Sequence, residues 1–539
     1  MKFKISQTKL TLLLAVFFTV FYNFSFFKKT TDVYPIHQGN FFYLASLSVA
    51  LMAATNLFLS LIRIRKIYKG LFLGILFLSA MAAYVMDSFG VVVDELMFLN
   101  IIHTDAKESL DLFTFKLCFY MLFLFFIPGF LLCKVKIEEL SLKTEIFSRI
   151  KSIIISIIIV FIMIISCGKF YASFFREQKP LRYYTNPTYW IYSMGKFGSS
   201  AFKNPNRALR ELGRNSKVPT SDTDRDLVIL VVGETARKDR FSLNGYSKKT
   251  NPFTEKENVV SFTNVTSCGT STAISVPCMF SHFGRNNFSV DDANSTENLL
   301  DVLSHTKDIN VLWRDNNSDS KGVAIRAKFE DYKSSATNTI CDAECRDIGM
   351  LVGLQEYINN VKEKDIVIVL HQMGNHGPAY YKRYPPEFEV FKPVCRTSEF
   401  SKCTNEEIGN AYDNAIRYTD FFLSKVIALL RHNSVNFNTG MLYISDHGES
   451  LGENGIYLHG LPYMMAPKEQ KEVALLMWFG GMMEKETNYV LLKKALNNPY
   501  SHDNIFHTIL GMLDIESSAY DPKLDILHGI HTQSRLFKP

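Results

Sequence analysis

Five apolar runs in the first third of the chain, Lys9–Phe27, Phe41–Ile62, Tyr68–Met86, Phe113–Leu132 and Ile153–Phe175, constrain its fold more than anything else in the sequence. Each is close to the roughly 20 residues that a helix needs to cross a hydrocarbon core. No comparable polar face accompanies them, so in water they would have nothing to bury against. A five-helix transmembrane domain over residues 1–175 is expected. The first run follows Lys2, Lys4 and Lys9 as a signal peptide does, but Phe-rich sequence stands where a small-residue cleavage site would be, and it reads as a retained anchor.

Basic residues orient the bundle. Lys2 and Lys4, then Arg63, Arg65, Lys66 and Lys69, then Lys134, Lys136, Lys143, Arg149 and Lys151 occupy alternate connections, which places those connections in the cytoplasm and everything after the fifth span outside. The outer loop Asp87–Asp111 carries Val91–Val93 and Leu96–Ile102. The stretch Asn186–Phe197 carries Tyr189, Trp190, Tyr192 and Met194. Both are expected to lie along the membrane, the second within a linker over 176–221. The net charge of +6 follows the cytoplasmic loops rather than one face, which gives no footprint for nucleic acid. Cys118, Cys133 and Cys167 fall in or beside apolar spans, where a thiol behaves as a small hydrophobe. The other six cysteines form close pairs on the outer side, Cys268/Cys278, Cys341/Cys345 and Cys395/Cys403. Local disulfides close the shortest loops and are expected; a cysteine metal site or free thiols are the alternatives, although no C-x-x-C spacing occurs.

From residue 222 the apolar runs become short: Leu227–Val232, Ile309–Trp313, Ile366–Leu370 and Met441–Ser445. Helical patterns at Asn298–Leu303, Ile348–Lys362 and Asn405–Arg431 separate them, which predicts an α/β domain over 222–539 with a mostly parallel sheet. Ligands of such sheets collect beyond the carboxyl ends of strands. There stand Glu234 in V-G-E-T-A-R, His371 and then His376 in G-N-H-G-P, and Asp446 with His447 in S-D-H-G-E-S. Singly, each is the kind of residue that caps a strand or lines a turn. Together they offer the mixed oxygen and nitrogen donors of a metal site, with zinc the first candidate and manganese the alternative. The segment Cys268–Cys278 adds hydroxyls. Thr270, Ser271 and Thr272 either cap the following helix or supply a nucleophile at its start; the residues alone leave both open.

These blocks resemble the lipid A phosphoethanolamine transferases, a membrane-anchored branch of the alkaline phosphatase and sulfatase superfamily. The resemblance runs along nearly the whole chain, through V-G-E-T-A-R, C-G-T-S-T-A-x-S-V-P-C-M-F-S, H-x-x-G-x-H-G-P, S-D-H-G-E-S-L-G-E-x-G-x-Y-L-H-G and the paired cysteines. It implies an alkaline phosphatase/sulfatase-like catalytic domain in the periplasm, carried by a multi-pass anchor in a bacterial inner membrane. It implies Thr272 as nucleophile, with Glu234, Asp446, His447 and the Thr272 oxygen holding one tight Zn2+. Lys321, His376 and His459 match residues that hold the phosphate or a second zinc, and either histidine could move protons. His371 fits less well as a direct ligand and is read as a partner behind the ligands. Asn100, Thr104 and Glu108 match positions that meet the lipid head group. The implied reaction moves phosphoethanolamine from phosphatidylethanolamine to lipid A or another envelope acceptor through a threonine-bound intermediate, in a monomer, and would weaken the binding of cationic peptides such as polymyxin. A phosphoglycerol transferase of the lipoteichoic-acid-synthase type is the nearest rival, and a non-catalytic lipid-binding sensor is a rival of another class. His282, His305, His432, His502, His507, His528 and His531 have no partner spacing and read as surface or structural residues, with His502 and Asp503 at a helix start after Ser501.

Overall fold

The computed structural model describes residues 4–530 apart from 63–67, 104–108, 110, 139, 202–206, 221, 223 and 363. Lys2, Arg63, Arg65, Lys66, Thr104, Glu108 and His531 therefore lie outside the described residues. Two compact units emerge, Met1–Phe98 with Phe113–Lys203, and Leu99–Leu112 with Asn204–Pro539.

In the first unit, four helices among the described residues are long and apolar enough to cross a membrane: Phe41–Leu61, Tyr68–Phe89, Phe115–Lys134 and Leu142–Ser166. The first apolar run is not the single straight helix expected. Gln7–Phe21 and Phe24–Val33 meet at a 55° bend, and counting the pair as one span brings the total to five. The cause is one side chain and its distant partner: Asn23 turns its amide nitrogen onto the Phe18 and Asn186 carbonyls, at 2.9 and 2.7 Å, and its carbonyl takes the Asn186 N–H. A side chain that bonds backbone in this way competes with the helix ladder. The last run also differs, since the helix starts at Leu142, ends at Ser166, and a second one, Gly168–Arg176, follows. Along it Ile155, Ile158, Phe161, Ile162 and Ile165 remain 45–65% exposed, the outward apolar surface that lipid and not water would cover. Its inner side carries Ser152 and Ser156, which accept from Asn56 of Phe41–Leu61 at 3.1 and 3.0 Å, a polar contact of the kind that fixes helix pairs where hydrophobic burial gives no preference.

The second unit is built on a seven-stranded mixed sheet. Its strands in chain order are β1 (Asp226–Gly233), β2 (Val260–Phe262), β3 (Ile309–Asp315), β4 (Lys328–Asp331), β5 (Asp365–His371), β6 (Asn438–Ser445) and β7 (Leu475–Gly480), and across the sheet they run β2-β7-β6-β1-β5-β3-β4. The pairings β6–β1, β1–β5, β5–β3 and β3–β4 are parallel, whereas β7 runs antiparallel to both β6 and β2. Every residue of β1, β5, β6 and β7 is buried. Covered on both faces, these strands are continuous apolar runs rather than alternating ones. Helix Asn405–Asn433 starts where Thr404 and Glu407 form a reciprocal capping box, and Asn298 with Asp301 does the same for Leu299–His305. The expected helix Ile348–Lys362 is instead a 3-10 turn, Asp347–Leu351, and a short helix, Leu354–Asn360, divided at Gly353, whose φ of 71° no ordinary helix residue adopts.

Register places the site. Gly233 of β1 lies opposite Ser445 of β6, Val232 lies opposite His371 of β5, and His371 lies opposite Asp315 of β3. The carboxyl ends of four strands thus form one row.

Candidate active site

Glu234, Asp446 and His447 follow directly from this row, and all three are fully buried. Asp446 Oδ1 accepts the backbone N–H groups of Thr235 at 3.0 Å and of His447 at 2.7 Å. This turns Oδ2 inward, where it accepts no hydrogen bond and lies 3.1 Å from His447 Nε2. His447 donates Nδ1–H to the Gly448 carbonyl at 3.0 Å, which in the neutral ring leaves the Nε2 lone pair facing the same point. Glu234 Oε1 approaches Nε2 to 3.5 Å, and Glu234 Oε2 accepts from Asn317 Nδ2 at 2.8 Å. Thr272 completes the group: its Oγ1 is 3.2 Å from Glu234 Oε2 and 3.4 Å from His447 Nε2.

These separations carry chemical information. A tetrahedral ion with arms of about 2.0 Å sets its ligands about 3.3 Å apart, and the four contacts among these side chains span 3.1–3.5 Å. Two carboxylates, one imidazole nitrogen and a hydroxyl therefore fit a tetrahedral metal ion. The charges agree. Burial opposes ionisation of Asp446, but His447 and the Thr235 N–H more than offset it and hold the carboxyl well below the usual range. Burial likewise opposes a charged His447, yet Asp446 and then Glu234 raise its pKa to about 9. A cation satisfies the two acids in place of that proton.

Thr272 is the first residue of the helix Thr272–Met279. Of the two readings open at the sequence, capping is absent: Ser271 occupies the N-cap position without a side-chain cap bond, and Thr270 Oγ1 donates to the Leu461 carbonyl at 2.6 Å. The Cys268–Cys278 disulfide closes the loop around Thr272, and Cys341–Cys345 and Cys395–Cys403 are also bonded. His502 does more than mark a helix start. Its Nδ1 accepts the Cys268 N–H at 3.2 Å and its Nε2–H donates to the Ser445 carbonyl at 3.0 Å, so one ring ties the disulfide loop to the end of β6. Burial drives its pKa down to about 4, which keeps this tautomer at neutral pH.

The rings of His447 and His459 are 4.2 Å apart, and those of His376 and His459 are 5.6 Å apart. Glu449, fully buried, bonds His459 Nδ1 at 2.7 Å and accepts from Tyr380 at 2.5 Å. Burial, then the neighbouring His459 and Arg383, hold the His376 ring well below its ordinary pKa. Lys321 has its amine 2.5 Å from Ser318 Oγ and 3.6 Å from Asp319, on the turn that follows β3. His371 stands behind the group, bonded through Nδ1 to Asp315 at 2.8 Å. Asn100 is beside the site's loop, since a Cβ built on Gly460 would lie 3.5 Å from its amide nitrogen.

Two buried residues escaped the sequence reading. Asn317 joins Glu234 to the Gln372 carbonyl, both at 2.8 Å. Asp347 accepts the N–H groups of Met373 and Gly374, at 2.9 and 3.1 Å, and so shapes the turn that leads to His376. Asn317 stands two residues past the end of β3, where the strand-end rule could have found it; nothing local marks Asp347. Gly448 is equally constrained, because a Cβ there would lie 2.0 Å from the Glu469 carbonyl oxygen. Gly448→Ala must therefore move the backbone beside His447, and is expected to lower activity at least about tenfold with the protein still folded. Activity assays beside thermal melting check this.

A mixed sheet with a hydroxyl, two acids and a histidine gathered at its strand ends defines a metal-dependent enzyme of the sulfatase type, and the sulfatase family model matches residues 226–515. The model of the family phosphoethanolamine transferase EptA/EptB matches residues 51–202. Phosphatidylethanolamine transferase Mcr-2 of Escherichia coli is 40% identical over 526 residues, covering 95% of this chain and 96% of that one. Phosphoethanolamine transferase EptA of Escherichia coli strain K12 is 38% identical over 527 residues, covering 96% of each. The integral membrane protein lipooligosaccharide phosphoethanolamine transferase A of Neisseria meningitidis superposes with a TM-score of 0.94 at 33% identity, covering 98% of this chain and 100% of that one. The chain belongs to the phosphoethanolamine transferase family, with a membrane-embedded part and a sulfatase-like domain.

Proposed function

We propose that this protein transfers phosphoethanolamine from phosphatidylethanolamine to lipid A or another envelope acceptor, as a monomer whose five spans over 1–175 and linker over 176–221 hold a periplasmic domain, 222–539, on a bacterial inner membrane. The observation that carries the reading is the convergence of Thr272 Oγ1 with Glu234, Asp446 and His447 at tetrahedral spacing, in a chain whose relatives are named phosphatidylethanolamine or phosphoethanolamine transferases. Zinc suits the four donors best, and His376 with His459 could hold a second ion. When bound, the ion lowers the pKa of the Thr272 hydroxyl and offsets charge on the donor phosphate.

Thr272 gives its hydroxyl proton to solvent, its Oγ1 attacks the donor phosphorus and the bond to the diacylglycerol oxygen breaks, leaving phosphoethanolamine on the threonine. His459, fixed at Nδ1 by Glu449, delivers a proton to the departing oxygen. A phosphate oxygen of the acceptor then attacks the same phosphorus and frees Thr272. Lys321 and His376 hold the non-bridging oxygens. Asn100, Thr104 and Glu108 meet the head group. Donor and acceptor are both lipids, so an anchor on the same chain removes the search through bulk water. The added amine lowers the negative charge of lipid A, and with it the attraction of cationic peptides such as polymyxin.

Intact-protein mass spectrometry tests the reading. Purified protein given phosphatidylethanolamine is expected to gain a phosphoethanolamine adduct that maps to Thr272, and none when given phosphatidylglycerol. An adduct from phosphatidylglycerol alone would make the protein a phosphoglycerol transferase, and an adduct on another residue would remove Thr272 from the role.

A further inference from the structure

The outer stretch Leu99–Leu112 groups with the catalytic unit and not with the apolar helices that precede and follow it. Two of its described residues show where it is held. Asn100 lies against Gly460, the residue after His459. Asp111, 7% exposed, takes Arg383 Nη2 at 2.9 Å and also pairs with Lys382. Arg383 is itself 4% exposed; its Nε–H donates to the His376 carbonyl at 2.6 Å and its Nη1 to Glu344. Glu344 belongs to the hairpin closed by the Cys341–Cys345 disulfide, and Arg346 beyond that hairpin donates to the Lys382 carbonyl at 2.6 Å.

One planar guanidinium thus joins three segments that are far apart in sequence: the outer stretch, the disulfide hairpin and the backbone of His376. Burying it is costly, and an apolar contact of similar volume would stabilise the fold at least as well. What an apolar contact could not do is fix direction. The guanidinium fork sets both the angle and the distance of each partner, and the partners here are the stretch that carries Asn100 and the backbone of a phosphate-side histidine.

We propose that Arg383, acting through Asp111, is a positioning residue for the donor lipid: it fixes the outer stretch against the His376 and His459 side of the site, so that the phosphoethanolamine head group meets a preformed wall. This deepens the function proposed above and rests on it. A contact that positions donor alters how much donor is needed for half-maximal rate, whereas one that only supports the fold alters stability or turnover.

The test uses the full-length enzyme in detergent micelles of phosphatidylethanolamine, with donor varied. Asp111→Asn keeps the side-chain shape and leaves Arg383 with Glu344 and the His376 carbonyl. It is expected to raise the KM for donor about tenfold, the loss of one charge-assisted hydrogen bond, with kcat at saturating donor and the melting midpoint unchanged. Asp111→Glu is expected to return KM to within about twofold of wild type. Lys382→Met spares the Arg383 pair and is expected to raise KM about threefold. An unchanged KM in Asp111→Asn, or a kcat that falls at saturating donor, overturns the proposal. If Asp111→Asn melts early, Lys382→Met decides, and an unchanged KM there overturns it. A wild type that turns over donor without a Thr272 adduct would overturn the covalent route proposed above and leave the KM comparison standing.

Discussion

Thr272→Ala is expected to reduce phosphoethanolamine transfer by at least about four orders of magnitude, with the protein still folded, disulfide-bonded and able to bind metal. On the proposed covalent route, losing the nucleophile costs the whole path and not a fraction of it, because the intermediate forms on the Thr272 oxygen. The two neighbouring hydroxyls are not substitutes, since Thr270 is committed to the Leu461 carbonyl and Ser271 is buried without a polar partner at its oxygen. The fold has little to lose. Thr272 makes no capping bond, its helix gains from alanine, and Glu234 keeps the Asn317 amide. Thr272→Ser, which keeps an oxygen at the same place, is expected to retain measurable transfer. Mass spectrometry of lipid A from cells that express each variant, beside the adduct measurement on purified protein, reads the result. If Thr272→Ala kept more than about a hundredth of wild-type transfer, the nucleophile would have to be sought elsewhere.

Four residues of this site were legible because each follows a strand that the sequence makes obvious, whereas Thr272, at a helix start, was left with two readings. β1 and β5 are rich in Val, Ile and Leu, β6 holds the apolar run Met441–Ile444, and all three are bounded by polar residues, so Glu234, His376, Asp446 and His447 could be placed at a sheet edge from the sequence alone. β7 was not read, because Leu475–Gly480 has no alternation and no β-branched residue, and such a run suits a buried helix equally well. β4, Lys328–Asp331 at the sheet's edge, has three charged residues in four, and there charge guards against further pairing and erases the apolar signal. The bend near Asn23 was hidden for another reason: it depends on Asn186, 163 residues away. Asn317, Asp347 and His502 likewise act by joining groups that only the fold brings together. Long-range polar contacts leave no periodicity, which is why the side chains that converge at the strand ends could be placed there while the residues that hold them could not.

The other large effect should come from Asp446→Asn, which is expected to lower metal affinity more than about a hundredfold and transfer in proportion. Asp446 Oδ1 already serves two backbone N–H donors. An amide must therefore either turn its NH2 onto those donors or present it to the ion, and both orientations fail. His459→Ala is the contrast, because His459 is not among the four side chains at tetrahedral spacing; that variant is expected to keep one tightly held ion while losing transfer. The same site predicts how affinity follows pH. Without a cation, Asp446 and Glu234 hold a proton on His447 up to about pH 9. Since this pKa is raised, the proton competes at every pH below that value. Binding at pH 7 should therefore release about one proton per ion, with affinity rising about tenfold per pH unit until about pH 9. Metal analysis after gel filtration, and calorimetry in buffers of different ionisation heat, measure the two quantities. An Asp446→Asn protein that kept a full equivalent of metal with the same proton release would show that the ion binds elsewhere, because this substitution removes a ligand and the main cause of the raised His447 pKa together.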